Sequence, residues 1–351
     1  MPRDESTRDS GPREGAVAVP SVPSLSGHSW RSLRAADAGA LHRLELECVP
    51  ADGGTGLSSE EEYRRKLRLA ENLATDTLCA ADSSGRLAAA AWVTLDDHPQ
   101  EQYRVFLDGR VHPEYRGRGL GSYILQWMEA RALEMLAAQK EDRPGLLRLD
   151  FYDRGADAVA LFERFGFGLA FAEDEMERDL SRPLPARPLP PGVATVGWSP
   201  KRAGQFFEVY EGAFGDRPRF PHWSEEAWRH NLTDYPDFRP DLSLLVLDGA
   251  EGAAFTVCHV EEEGRQQPRG TGFVDQMGVR PGWRRQGLGS ALLGELMRRF
   301  KAEGLARAAL SVDVDNQPAI RLYEGLGFER RRRRTSYQKV ACRGGSQRRG
   351  E

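Results

Sequence analysis

Arg284-Arg285-Gln286-Gly287-Leu288-Gly289 has the residue types and spacing of a turn that holds a phosphate. A strand-like run, Phe273-Val274-Asp275-Gln276-Met277-Gly278-Val279, precedes it, and a helical run from Ser290 to Lys301 follows. At a helix start the first backbone N–H groups have no acceptor within the helix. Together with the positive end of the helix dipole they suit a pyrophosphate. Glycines there permit positive φ and close approach of a ligand. The pattern occurs twice. Val111-His112-Pro113-Glu114-Tyr115-Arg116-Gly117-Arg118-Gly119-Leu120-Gly121-Ser122 matches Val279-Arg280-Pro281-Gly282-Trp283-Arg284-Arg285-Gln286-Gly287-Leu288-Gly289-Ser290 at Val, Pro, Arg, Gly, Leu, Gly and Ser. Two such turns in matching contexts indicate a duplicated phosphate-binding unit.

The elements around the turns repeat as well. In the first half, alternation and β-branched runs predict strands at Trp30 to Leu33, Leu78 to Ala81, Leu87 to Leu95, Tyr103 to Val111 and Leu146 to Tyr152. Helical periodicity covers Ala36 to Cys48, Glu60 to Asn72, Leu120 to Ala138 and Ala156 to Phe165. In the second half the strands are Ala194 to Trp198, Leu242 to Leu247, Ala253 to Val260, Gly272 to Val279 and Ala308 to Val314. Its helices are Ala203 to Phe214, Glu225 to Leu232, Leu288 to Lys301 and Pro318 to Leu326. A second motif repeats too. Asn316-Gln317-Pro318-Ala319-Ile320-Arg321-Leu322-Tyr323-Glu324-Gly325-Leu326-Gly327-Phe328 aligns with Gly155-Ala156-Asp157-Ala158-Val159-Ala160-Leu161-Phe162-Glu163-Arg164-Phe165-Gly166-Phe167. Each reads as a short helix stopped by a glycine able to take the left-handed cap.

At 351 residues the chain accommodates two domains with separate cores. A hydrophobic fraction of 40% and a charged fraction of 29% fit a globular protein in water. The formal charge of −4 gives no general case for nucleic acid. Only five of the 49 basic residues are Lys, so single arginines carry little information. Cys48, Cys79, Cys258 and Cys342 are scattered, with no C-x-x-C pair and no His cluster. No metal and no disulfide are expected, and a reducing cytoplasm is the expected compartment. No apolar run reaches the length of a membrane span, and the N-terminus lacks an apolar signal core.

Residues 1–26 are rich in Ser, Pro, Gly and charge and are expected to be disordered. Residues 181–192 contain five prolines and read as a semi-rigid, extended linker. Residues 342–351 form a polar tail. The repeats then occupy about 27–180 and 193–341.

These residues resemble the GCN5-related N-acetyltransferase (GNAT) superfamily in two tandem copies. The family's R/Q-x-x-G-x-G/A loop stands as Arg284-x-x-Gly287-x-Gly289 and as Arg116-x-x-Gly119-x-Gly121. Its N-x-x-A-x-x-L-Y-x-x-x-G-F helix stands complete at Asn316 to Phe328. The resemblance implies an α/β fold: in each copy a twisted, mixed but mostly antiparallel sheet flanked by helices, with acetyl-CoA between two splayed strands. A dinucleotide-binding turn would need a third glycine three residues on, where Leu292 and Ile124 stand instead.

For the second copy the resemblance implies that amides of residues 285–290, from Arg285 through Gln286, Gly287, Leu288 and Gly289 to Ser290, hold the pyrophosphate, with charge from Arg284 and Arg285. A backbone N–H near Met277, Gly278 and Val279 would polarise the thioester carbonyl. Asn316 would bridge the strand to the cofactor, and Tyr323 would protonate the departing thiolate. An amine with a pKa near 10 must lose a proton before attack. Asp275 is the preferred base, with Glu261, Glu262, Glu263, Glu211 and Asp216 as other carboxylates in reach of the expected pocket. In the first copy, Val111, Arg116, Gly117, Arg118, Gly119, Leu120 and Gly121 keep the loop. Phe162 replaces the tyrosine there, and Gly155 the asparagine. That copy is expected to be catalytically weak or silent while still able to bind acetyl-CoA; Tyr152 is an alternative acid. The expected activity is acetyl transfer to the primary amine of a small molecule in a ternary complex. An antibiotic, a metabolite and a peptide N-terminus are all open as the acceptor, a thiol-bearing amino-sugar conjugate is an alternative, and a non-catalytic acyl-CoA-binding or regulatory protein is the competing class. No nucleic-acid or membrane partner is expected, and the chain is expected to be a monomer or homodimer. Finally, Arg330-Arg331-Arg332-Arg333-Arg334 and its first-copy counterpart Glu173-Asp174-Glu175 are opposite in charge, which suggests that they pair.

Overall fold

The computed structural model describes residues 23–52, 58–70, 72–96, 102–141, 143–152, 156–216, 223–233, 237–261 and 270–341. Most of the expected disordered N-terminus, the whole expected tail, Gly155, Glu262 and Glu263 lie outside the described residues. The chain divides into two compact units: residues 1–51, 60–149 and 338–351 form one, and residues 52–59 and 150–337 the other.

In the first unit, β1 (His28–Arg31), β2 (Thr77–Asp82), β3 (Leu87–Leu95), β4 (Tyr103–Val111) and β5 (Gly145–Tyr152) lie side by side in that order. All neighbours pair antiparallel except β4 and β5, which run parallel from Tyr103↔Gly145 to Phe106↔Arg148. Helices α1 (Ala38–Ala51), α2 (Glu60–Leu69) and a single turn α3 (Leu73–Asp76) precede β2. The expected helix from Glu60 to Asn72 thus stops three residues early. Leu41, Leu44, Cys48, Tyr63 and Leu67 from α1 and α2 share one core with Cys79, Leu87 and Ala90. Helix α4 (Leu120–Ala137) starts at Gly119, whose φ of 83° only glycine adopts at no cost. Beside β5 lies the end of the last strand of the chain, β12 (Glu329–Ala341).

In the second unit, α5 (Ala156–Arg164) leads into β6 (Gly168–Asp179). Then follow β7 (Val193–Gly197), α6 (Ala203–Phe214), α7 (Glu225–Thr233), β8 (Leu244–Asp248), β9 (Glu251–Glu261) and β10 (Thr271–Val279). Helix α8 (Leu288–Ala302), β11 (Arg307–Asp313) and α9 (Gln317–Gly325) come before β12. The strand order is β12-β6-β11-β10-β9-β8-β7. Again one pair is parallel, β10 with β11, and the pairs around it are antiparallel. Aromatic side chains of α6 and α7 (Phe206, Tyr210, Phe214 and Trp228) pack on Phe255 of β9. Leu293, Leu296, Met297 and Phe300 of α8 pack with Leu310, Leu326 and Phe328.

The compact units and the sequence repeats divide the chain differently. Strand β6 belongs to the first repeat by sequence but is inserted between β11 and β12 of the second unit. The end of β12 joins the first unit. Ion pairs line the seam between β6 and β12. Arg331 pairs with Glu177 at 2.7 Å, Arg332 with Glu175 at 2.8 Å and Arg333 with Asp174 at 2.7 Å, while Arg334 pairs with Glu173. The complementary runs of the sequence do meet, on adjacent strands of one unit.

Candidate active site

The site begins where two strands part. Parallel pairing between β10 and β11 runs only from Thr271↔Arg307 to Val274↔Leu310. Beyond it β11 stays paired with β6 as far as Asp313↔Glu173, and β10 stays paired with β9 as far as Val279↔Ala254. Among the described residues no strand therefore lies opposite the inner edge of residues 275–279. That edge is available to an extended, amide-bearing ligand.

Asp275 sits at the point of parting. The β9–β10 register shifts between Val274 and Gln276, leaving Asp275 as the extra residue of a bulge, a device that re-aims a side chain. Its neighbour Gln276 accepts a hydrogen bond from the buried Trp228 indole at 2.9 Å. Asp275 itself meets His259: its carboxylate oxygens lie 2.8 and 2.9 Å from Nδ1. Nε2 of the same ring is 3.5 Å from Glu261, and the ring stacks on Phe273 with centroids 5.1 Å apart. Burial alone would lower the imidazole pKa. Hydrogen bonds to Asp275 and Glu261, and their charges, outweigh it and lift the pKa to about 9. The hydrogen bond to His259 in turn lowers the Glu261 carboxyl.

The glycine turn stands at the far end of β10. Arg285 has φ 63° and Gly287 φ 80°. A Cβ at Gly287 would meet nothing within 4 Å, so the turn opens onto free space. A Cβ at Gly289 would approach Met277 to 3.3 Å and Leu322 and Val279 to 3.6 Å. Hence β10, the first turn of α8 and α9 converge there. Gly278 is required for packing, since a Cβ would lie 2.7 Å from Ala213 and 2.8 Å from Phe255. Tyr323 and Met277 pack against the same core cluster, and the Tyr323 ring lies 6.1 Å from that of Phe328. Asn316 caps α9, its side-chain oxygen accepting from the Ala319 N–H at 3.4 Å.

Other side chains are committed to the protein. Arg284 donates to the carbonyls of Val279 at 3.0 Å and Ala213 at 2.8 Å, and to Asp216 at 2.6 Å. Its guanidinium braces the end of β10, and Asp216 is its counter-ion. Leu288 is buried in the core. Gln286 donates to the Gly282 carbonyl at 2.8 Å and Ser290 to the Gly287 carbonyl at 2.8 Å. In the first unit the corresponding turn keeps its shape, with φ 73° at Gly117 and 83° at Gly119. There Arg116 donates to the Val111 carbonyl at 3.1 Å, Arg118 lies over the Tyr115 ring, and Leu120 is buried. Gly121 stands in the first turn of α4. Tyr152 lies under the Arg332 guanidinium, 4.0 Å away, and burial pushes its hydroxyl pKa up.

The first copy lacks the polar pair as well as the tyrosine. Its β3–β4 register is unbroken, and Leu95 pairs with Val105 where His259 pairs with Phe273. Counting from the shared Val111 and Val279, Leu107 stands where Asp275 does. His259 was not apparent from the sequence. Its only signal was its place on a predicted strand two residues before Glu261, and the bulge that brings it to Asp275 shifts the register by one.

The strand pair parts beside a left-handed glycine turn at a helix start. Residues 206–328 match the acetyltransferase (GNAT) family and residues 74–168 the acetyltransferase (GNAT) domain. The chain belongs to this family, with two copies of its domain. It is 34% identical over 223 residues to mycothiol acetyltransferase of Thermobispora bispora, covering 63% of this chain and 71% of that protein. It is 30% identical to mycothiol acetyltransferase of Frankia alni over 92% of this chain and 97% of that protein. Among solved structures it resembles a GCN5-related N-acetyltransferase from Sphaerobacter thermophilus, with TM-score 0.76, 26% identity and coverage of 90% and 96%. A tandem GNAT protein from the clavulanic acid biosynthesis pathway shares the fold, with TM-score 0.60, 20% identity and coverage of 91% and 99%. The protein is an acetyltransferase with acetyl-CoA as cosubstrate. Among the described residues no cluster could hold a metal, and no helix is long and apolar enough to cross a membrane.

Proposed function

We propose that the second copy, residues 193–341, transfers the acetyl group of acetyl-CoA directly to the primary amine of a small molecule. We propose the first copy, residues 27–180, as a partner without chemistry of its own. The observation that carries this reading is the His259–Asp275 pair on the β10 bulge, matched in the first copy by Leu95 and Leu107. Bound acetyl-CoA supplies an activated acetyl group and a thiolate leaving group. The inner edge of residues 275–279 holds the extended arm, and the amides of residues 285–290 face the diphosphate.

Asp275 accepts from Nδ1–H of His259 and fixes the tautomer, leaving Nε2 to take the proton of the acceptor ammonium. Glu261, 3.5 Å from Nε2, steadies that proton once it has arrived. The Tyr323 hydroxyl returns a proton to the leaving sulfur. The relatives' name makes a mycothiol precursor the first acceptor to supply. The test is amine-dependent CoA release by the full chain. Tyr323→Phe and His259→Gln should each lower kcat by about 10²–10⁴-fold, the range of a lost acid–base group. Wild-type rates in both variants would refute the assignment.

A further inference from the structure

The five-proline segment is fastened to the second unit. Arg178 donates to the Pro183 carbonyl at 2.8 Å, and Leu184 and Leu189 pack onto core clusters. It crosses α8 at Gly294, where a Cβ would stand 3.4 Å from the Arg187 Cβ and 3.7 Å from its carbonyl oxygen. There it walls a cleft of about 420 Å³ whose other sides are the glycine turn and α9. Gln286, Gly287 and Ser290 line one side and Arg321 another, with Arg187 on the segment. No carboxylate lines this cleft. Elsewhere in the unit, arginines of β12 and of the turn meet acidic partners. Among the described residues Arg187 and Arg321 form no ion pair.

We propose that Arg187 and Arg321 clamp the ribose 3′-phosphate of the coenzyme, so that the segment expected as a spacer selects the phosphorylated cofactor. The proposal rests on the second copy being the one that binds acetyl-CoA. Once the turn amides hold the diphosphate, the coenzyme has one further phosphate to neutralise. The cleft that continues from Gly287 presents two uncompensated guanidinium groups, the donors best shaped for a phosphate. Prolines on both sides of Arg187 fix its backbone, so little entropy is lost on binding.

The test is calorimetric titration of the full chain with CoA and with 3′-dephospho-CoA. The wild type should bind CoA about tenfold to a hundredfold more tightly, the value of one or two charge-assisted contacts. Arg187→Ala and Arg321→Ala should each weaken CoA binding and leave dephospho-CoA unchanged, and the double variant should bind both equally. Equal wild-type affinities, or variants that weaken both ligands alike, would overturn the clamp without touching the second-copy assignment. Gly287→Glu checks that assignment separately. If it leaves binding intact while Gly119→Glu abolishes it, the assignment and the clamp both fall.

Discussion

His259 owes its behaviour to its neighbours, so its proton is the most informative at the residue scale. With a pKa of about 9, the ring is cationic at neutral pH and becomes a base only as pH rises through that value. kcat/KM should climb with pH to a plateau above about 9. In Asp275→Asn the partner charge is gone, and that limb should move down toward the ordinary imidazole value of about 6.5. The acceptor's own titration is common to both enzymes, so an unmoved limb would exclude His259 as the base. The same shift acts on stability. A pKa raised by folding contributes stability present below about 6.5, which is lost as pH passes the folded value of about 9. A melting-temperature series across that window should fall in the wild type and flatten in His259→Gln. Packing gives a second contrast. Gly278→Ala should cost about 1–3 kcal/mol by denaturant unfolding, because Ala213 and Phe255 occupy the space. Gly282→Ala, with nothing within 4 Å, should stay within about 0.5 kcal/mol. Tyr323 could be singled out from the sequence because a local motif surrounds it. His259 could not, because its contact with Asp275 arises across a hairpin whose bulge no local pattern announces.

Elements were legible where periodicity is local. Strands β3 and β4 and helix α6 have the predicted boundaries, α8 runs one residue longer at its end, and β11 is shifted by one residue at both ends. Strand neighbours were not legible, because a sheet edge accepts any partner of matching register and charge. The β6–β12 ladder makes that choice testable. Glu175 and Arg332 are both largely shielded from solvent, with side-chain exposures of 9% and 22%. Reversing either charge alone should cost about 3–5 kcal/mol, the penalty for breaking a shielded pair, measured by chemical denaturation. Reversing both should recover most of it. Two single reversals without effect would show that pairing of the strands does not depend on the ladder.

At the scale of the whole molecule the duplication was plain from the two glycine turns and the two short helices. The composition of each compact unit was not, since β6 and the end of β12 are separated by long stretches of sequence from the strands they join. The copies share the turn and differ in the side chains around it. One keeps a bulged strand, a His–Asp pair and a tyrosine; the other has Leu95, Leu107 and Phe162 at the corresponding positions. Both keep the turn, and this permits a matched comparison. Gly119 and Gly287 have φ of 83° and 80° and open space around them, so glutamate strains both backbones alike and places the same charge where phosphate should sit. The decisive measurement is amine-dependent CoA release by Gly119→Glu and Gly287→Glu, with melting temperatures as the control for folding. Near-wild-type turnover in Gly119→Glu and none in Gly287→Glu is the predicted result. Turnover lost in Gly119→Glu and kept in Gly287→Glu would contradict it and place the chemistry in the first copy.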